Sequence, residues 1–239
     1  MPANAKSKLT LLVILGLVLL VAIFVAYPAV QRALARAALI EVANSGRSFK
    51  MVMDSFAVDN NGIYPGADSA DFYGTGEVTT SNAAFKQLFA SGHTPSERIF
   101  WVEGAAVCRN TPPDNITTSS GSFDPALTLQ AGDNGWSYFG NLINTDNPRL
   151  PILVATFLPS TSEDPDTAKL DPTPLHGKAI IIHINNTASV INTDGTAPSG
   201  SLPNLGRGDP ANSKLQSNTT AILNQPDPHG NPRPLLHPE

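Results

Sequence analysis

The chain has 239 residues, of which only 15% are charged, and a net charge of -5; 21 prolines and 18 glycines point to many turns and short strands rather than a helical bundle. A single cysteine, Cys108, excludes an intramolecular disulfide and a thiolate metal site. In the first 50 residues Lys6, Lys8, Arg32, Arg36, Arg47 and Lys50 oppose Glu41 alone, so that stretch carries +5 and the remainder -10. An acidic body with no basic cluster among aromatics gives nucleic acid no footing, whereas a basic, apolar N-terminus suits an anionic membrane surface.

Residues 1–8 read as a short cytoplasmic N-terminus and residues 9–28 as a transmembrane helix that takes the lipid bilayer as its partner. The nineteen residues from Leu9 to Tyr27 carry no charge. That exceeds the apolar core of about 7–15 residues in a secretory signal and falls in the range of about 17–25 for a spanning helix. A cleavable signal is the competing reading, because Ala26, Pro28 and Ala29 imitate a small-residue cleavage site. Lys6 and Lys8 favour an inside N-terminus while Arg32 and Arg36 flank the other end, so charge alone leaves the orientation open.

Residues 29–60 read as an amphipathic continuation of the same helix, with Pro28 as a kink and Gly46 as a second weak point. Phe49, Val52, Met53 and Phe56 recur at i, i+3, i+4 and i+7, an apolar stripe on one face; Val30, Leu34 and Ala37 make a weaker one. Asp59-Asn60-Asn61-Gly62 offers a left-handed cap, and Pro65 forbids further helix.

Residues 61–195 read as a globular α+β head. A polar loop over 66–80 leads to a short helix, AAFKQLFA, capped by Ser81 or Asn82, with Phe85, Leu88 and Phe89 on one face. Strands are expected at 99–102, within GWSYFGNL (135–142), and at 150–157, the last as a central strand. KAIIIHINNTASVIN reads as a hairpin turning at Asn185-Asn186, with His183 on the solvent side. Residues 196–239, rich in Pro, Gly and Asn, read as a mostly disordered tail with a short ordered piece near Thr220–Leu223.

The helix start KLTLLVILG (8–16), the exit DNNGIYP (59–65), SNAAFKQLF (81–89), RIFWVEG (98–104), LQAGDNGWSYFGNL (129–142) and LHGKAIIIHINNTASVI (175–191) together resemble the type IV pilin and type II secretion pseudopilin superfamily. The resemblance implies a long N-terminal helix packed on a small antiparallel sheet. It also implies a structural subunit of a pilus or secretion assembly in the bacterial inner membrane, its head in the periplasm or at the cell surface, partnered by other pilin-like subunits. Two positions depart from the family pattern: Lys8 replaces the glycine read by the prepilin peptidase, and Val13 replaces the glutamate that registers subunits. They motivate the alternative of a solitary membrane-tethered binding module that does not polymerise.

No nucleophile elbow, P-loop, dinucleotide fingerprint or HExxH motif occurs, so no enzyme, catalytic residue or cofactor is expected. Calcium in a head loop stays open because some members of that family bind it there. Asp68/Asp71 and Asp164/Asp166 read as solvated charges, and His229 and His237 are too sparse for a metal site. Arg-Gly-Asp at 207–209 and the sequons at Asn115, Asn185 and Asn218 read as incidental, and Cys108 as a buried small hydrophobe.

Overall fold

A computed structural model describes residues 3–119, 121–155, 171, 174–192 and 235–238. The chain divides into two units, Met1–Ile40 and Glu41–Glu239. Helix α1 (Ala3–Asp59) begins in the first and ends in the second, with Pro28 inside it. Pro28 has no N–H to give the carbonyl of Phe24, yet the helix continues, because one missing bond breaks a single rung of a long ladder.

In the first unit every residue from Leu12 to Leu34 is exposed, Leu12, Leu17, Val25 and Tyr27 among them at above 60%. The weaker stripe of Val30, Leu34 and Ala37 is exposed too.

In the second unit the helix turns amphipathic. Phe49, Met53, Phe56 and Ala57 are fully buried, as the stripe at 49–56 predicts, while Val52 is half-buried. The helix runs unbroken through Gly46. That residue lies close against the sheet, where a Cβ would lie 2.5 Å from Trp136 Cη2 and 2.8 Å from Ile182 Cγ1. The helix stops where the cap residues predict. Asn61 (φ 55°) and Gly62 (φ 87°) are left-handed, Gly62 N donates to Ala57 O at 2.7 Å, and Asn60 Nδ2 donates to Phe56 O at 2.8 Å. Two carbonyls orphaned by the helix end thereby find donors.

Helix α2 (Ala67–Tyr73) occupies the stretch expected to be a loop. Its anchor is remote in sequence: Gln87 Nε2 donates to Gly66 O at 2.8 Å, and Ser69 Oγ donates to Gln87 Oε1 at 2.6 Å. Helix α3 (Ser81–Ala90) buries Phe85, Leu88 and Phe89 as expected, but Thr80 caps it, its side chain accepting from Ala83 N. Ser81 and Asn82 are drawn inward instead, donating to Trp136 O (2.9 Å) and Leu129 O (3.0 Å). The strand expected at 99–102 is absent. Glu97–Phe100 forms a single-turn 3-10 helix capped by Ser96, leaving Phe100 and Val102 to pack from irregular backbone.

A two-residue ladder pairs β1 (Thr118–Ser119) with β2 (Ser122–Phe123). The main sheet contains β3 (Trp136–Phe139), β4 (Pro151–Ala155), β5 (Lys178–His183), β6 (Ala188–Asn192) and β7 (Leu235–Leu236) in the order β6-β5-β4-β3-β7, every pair antiparallel. β4 is central, as its continuous apolar run predicts. The register places Trp136, Tyr138, Leu153 and Ile182 on the face that meets Gly46, and Ser137, Val154, Ile181 and His183 on the other. Both sets are buried, so the sheet is covered on both sides. The architecture is therefore α+β: one long N-terminal helix, its second part packed on a small antiparallel sheet, as in pilin-like proteins.

Two expectations about the hairpin change. Only Asn186 adopts positive φ (60°), and His183 N donates to Thr187 O, so the turn is a longer loop with one left-handed residue. His183 is 5% exposed rather than on the solvent side, with Nδ1 2.8 Å from Arg149 O and Nε2 2.9 Å from Ser189 Oγ. The C-terminus also differs: Leu235–Leu236 is a buried edge strand where a tail was expected, while 196–234 lie outside the described residues.

Candidate functional site

The apolar part of α1 is the segment with the plainest chemistry. It is long and apolar enough to cross a membrane, and its most apolar stretch buries nothing within the chain. Residues 9–28 at about 1.5 Å per residue give roughly 30 Å, the thickness of a bilayer's hydrocarbon core. Water is a poor solvent for such a surface, so another apolar phase or another helix must cover it. Val13, where the pilin pattern has a glutamate, is 64% exposed.

Where α1 enters the head core, Lys50 is fully buried among the stripe residues. Its ammonium donates to Asp54 Oδ1 and to Tyr64 Oη (3.0 Å), while Tyr64 Oη donates to Asp54 Oδ1 at 2.9 Å. Lys50 Nζ also sits 4.9 Å from the Tyr64 ring centroid, a cation–π distance. Desolvation pulls the Lys50 pKa below its usual value despite Asp54, and burial pushes the Tyr64 phenol up. The triad ties the last turns of the helix to the segment just past its exit. The ammonium is thereby held between two acceptors.

A second polar cluster joins the loops 96–98, 113–116 and 129–133. Glu97 is fully buried; Oε1 accepts from Leu129 N at 2.5 Å, and Oε2 has no hydrogen-bond partner. Asn115 (φ 61°) accepts from Glu97 N at 2.8 Å through Oδ1, so this sequon asparagine is engaged in loop structure. Asp133 accepts from Gln130 N, while Arg109 Nη2 lies 2.7 Å from Asp133 Oδ1 without hydrogen-bond alignment. Burial raises the pKa of both Glu97 and Asp133; repulsion from Asp133 and Asp114 adds to it at Glu97, and repulsion from Asp114 adds to it at Asp133. Among the described residues no three His, Cys, Asp or Glu side chains converge to hold a metal, so the calcium expectation finds no donor set there.

A third network is built on amides. Asn134 Nδ2 donates to Ser81 Oγ (2.8 Å) and Asn82 Oδ1 (2.9 Å), and its Oδ1 accepts from Trp136 N (2.9 Å), joining α3 to β3. The C-terminus closes on the same place, Ser81 N donating to His237 O at 2.9 Å, with Ser137 Oγ 3.3 Å from His237 Nδ1.

Among the stripe residues of α1, Phe49 packs on Trp136 of the sheet and Phe56 on Tyr73 and His93, whereas the other residues singled out from sequence do not assemble into a centre. Asp68 and Asp71 are exposed on α2, and Cys108 is half-buried beside Gly135, its thiol pushed up to about 11 by burial. Asp164, Asp166, Arg207–Asp209, Asn218, Thr220–Leu223 and His229 lie outside the described residues. Sequence reasoning missed Lys50, Glu97 and the role of His237. A cation inside an apolar stripe, four residues before a carboxylate, was the available signal for Lys50; none marked the other two.

No family model matches the chain, and neither a curated protein nor a solved structure matches it.

Proposed function

We propose that this protein is a membrane-anchored, pseudopilin-like structural subunit of a type IV pilus or type II secretion-type assembly. The observation that carries the reading is the helix α1, exposed from Leu12 to Leu34 and apolar from Leu12 to Val30, then buried at Phe49, Met53 and Phe56 inside a small antiparallel head. One continuous element that serves lipid at one end and a head core at the other is what a subunit needs to pack through its helix. The protein sits in a bacterial inner membrane with residues 1–8 in the cytoplasm and the head in the periplasm or at the surface. Its work is structural rather than catalytic. Chemical crosslinking in native membranes followed by purification should recover pilin-like subunits or secretion platform components. Recovery of this chain without any of them would sink the assembly reading.

A second reading, a solitary membrane-tethered module, is favoured by Lys8 and Val13, which remove the processing glycine and the registering carboxylate. A carboxylate in the bilayer is costly unless it has a partner, so its loss fits a helix that packs against lipid alone. The intact mass of the membrane-extracted protein separates the readings: a trimmed, methylated N-terminus supports assembly, and a full-length, unmodified one supports the tether.

A further inference from the structure

A single histidine joins the ends of α1 and α3. Helix α3 closes on Gly92 in the left-handed region (φ 77°), with Gly92 N donating to Phe89 O at 3.0 Å and His93 N to Leu88 O at 2.9 Å. That paired cap fixes the backbone of His93. Its ring packs edge-on to Phe56 with centroids 5.6 Å apart, and Phe56 in turn meets Tyr73 of α2. Nδ1 lies 2.7 Å from Ser91 Oγ, and Nε2 lies 3.1 Å from Oδ2 of Asp59, the last residue of α1.

These contacts fix the number of protons in the cluster. Ser91 Oγ also lies 2.7 Å from Gln87 O, a carbonyl that can only accept, so the one hydroxyl proton belongs there. Oγ then offers Nδ1 a lone pair, and Nδ1 must carry a hydrogen. Asp59 Oδ2 is a carboxylate oxygen, so Nε2 must carry one too. A neutral imidazole has a single N–H and would leave one contact as lone pair against lone pair. Water is poorly placed to replace the lost partner, because the His93 side chain is only 9% exposed. The ring also lies beside the C-terminal ends of two helices, where the backbone dipoles favour a cation. Asp59 is the charged group that meets it from α1 and Ser91 the polar group from α3. From α2, Tyr73 stands against Phe56 and spends its hydroxyl on Asn60 Oδ1.

We propose that His93 is a proton-operated latch: as imidazolium it ties the exit of α1 to the end of α3, and on losing a proton it releases one of them. Acid closes the joint and a rise in pH loosens it, which regulates how firmly the head holds the end of its helix. The latch works in the same way whatever covers the apolar part of α1, so it stands apart from both the assembly and the tether readings.

The test compares the full-length chain in detergent with His93→Gln by urea unfolding at about pH 5.5 and about pH 8, a span over which histidine changes charge. The ratio of folding constants, wild type over variant, should be at least about threefold larger at the lower pH, since the other titrating groups cancel between the two proteins. Should His93→Gln fail to fold, Asp59→Asn gives the same comparison with the same expected sign, its side chain being 67% exposed. A ratio equal at the two pH values, or larger at the higher one, would overturn the latch. Nitrogen-resolved NMR of the ring supplies a second reading: at about pH 5.5 both ring nitrogens of His93 should carry a hydrogen. A ring found neutral there, with Ser91 and Asp59 still in contact, would overturn it as well.

Discussion

Replacing Gly46 with alanine sets two effects of similar size against each other. Inside a helix, alanine is favoured over glycine by about 1 kcal/mol because the unfolded glycine has more freedom to lose. Against that, the added Cβ would lie 2.5 Å from Trp136 Cη2 and 2.8 and 2.9 Å from Ile182 Cγ1 and Cδ1, where carbon pairs settle at about 3.5–4.0 Å. Neither neighbour has room to withdraw. Trp136 and Ile182 are fully buried, and the indole is also held edge-on against Phe49 with centroids 6.4 Å apart. The helix must lift from the sheet or the indole must leave its rotamer, and with carbons this close the overpacking cost falls in the upper part of the usual range, about 2–3 kcal/mol. Packing should win, with a net loss of about 1–2 kcal/mol for Gly46→Ala, worth about 2–8 °C in melting midpoint for a chain of this size. Thermal unfolding of the full chain in detergent, followed by near-UV dichroism of the buried indole, reads it directly. Gly16→Ala is the internal control, since nothing lies within 4 Å of that position. If Gly46→Ala melted at or above the wild-type temperature, helix propensity alone would be acting and the close approach of helix to sheet would be wrong.

Glu97→Gln tests the buried carboxylate through pH. Burial holds the folded pKa above the usual 4.5, so Glu97 adds stability below 4.5 and loses it as the pH rises through the folded value. Asp133, raised from 3.8, acts in the same direction, while His183, lowered from 6.5, works the other way and loses stability as the pH falls through 6.5 and below. The variant should therefore exceed wild type in urea midpoint at pH 7, with the gap closing toward pH 4.5; a gap independent of pH would remove Glu97 as its cause. Asn134→Ala strips the partners from Trp136 N and Asn82 Oδ1 together, and should cost about 2–6 kcal/mol at about 1–3 kcal/mol per buried unpaired group. Urea unfolding followed at α3 would show a loss below 1 kcal/mol if water replaces the amide. Cys108, its thiol pushed up to about 11, should react with iodoacetamide at pH 8 at least tenfold more slowly in the folded chain than in urea. Equal rates would mean the thiol is not held in the pocket beside Gly135.

Much of the architecture was legible because it is written locally. A run of apolar residues without charge, a stripe at i, i+3, i+4 and i+7, and an Asn-Asn-Gly stop are each contiguous in sequence, and the helix they describe is the one observed. The central strand was equally plain, because a continuous apolar run suits a strand with both faces covered. His183 was misplaced for a related reason. Alternation along β5 puts it opposite Ile182, but a sheet buried on both faces has no solvent side to give it.

The remaining misses share a cause in distance along the chain. Helix α2 forms where the sequence looks like a loop because Gln87, eighteen residues beyond Ser69, holds its first turn. Ser81 and Asn82 looked like capping residues, but partners near position 130 and beyond take their side chains, and the cap falls to Thr80. His237 reaches further back still, its ring meeting Ser137 one hundred residues earlier and its carbonyl meeting the more distant Ser81 N. Proline and asparagine around the last strand argue for irregular chain, and two leucines are too short a run to show a period. What makes them a strand is the edge of β3 opposite β4, a partner about a hundred residues earlier in the chain. An element whose pairing partner is assembled elsewhere leaves no periodicity of its own to read, and that is why the end of this chain had to be found in three dimensions.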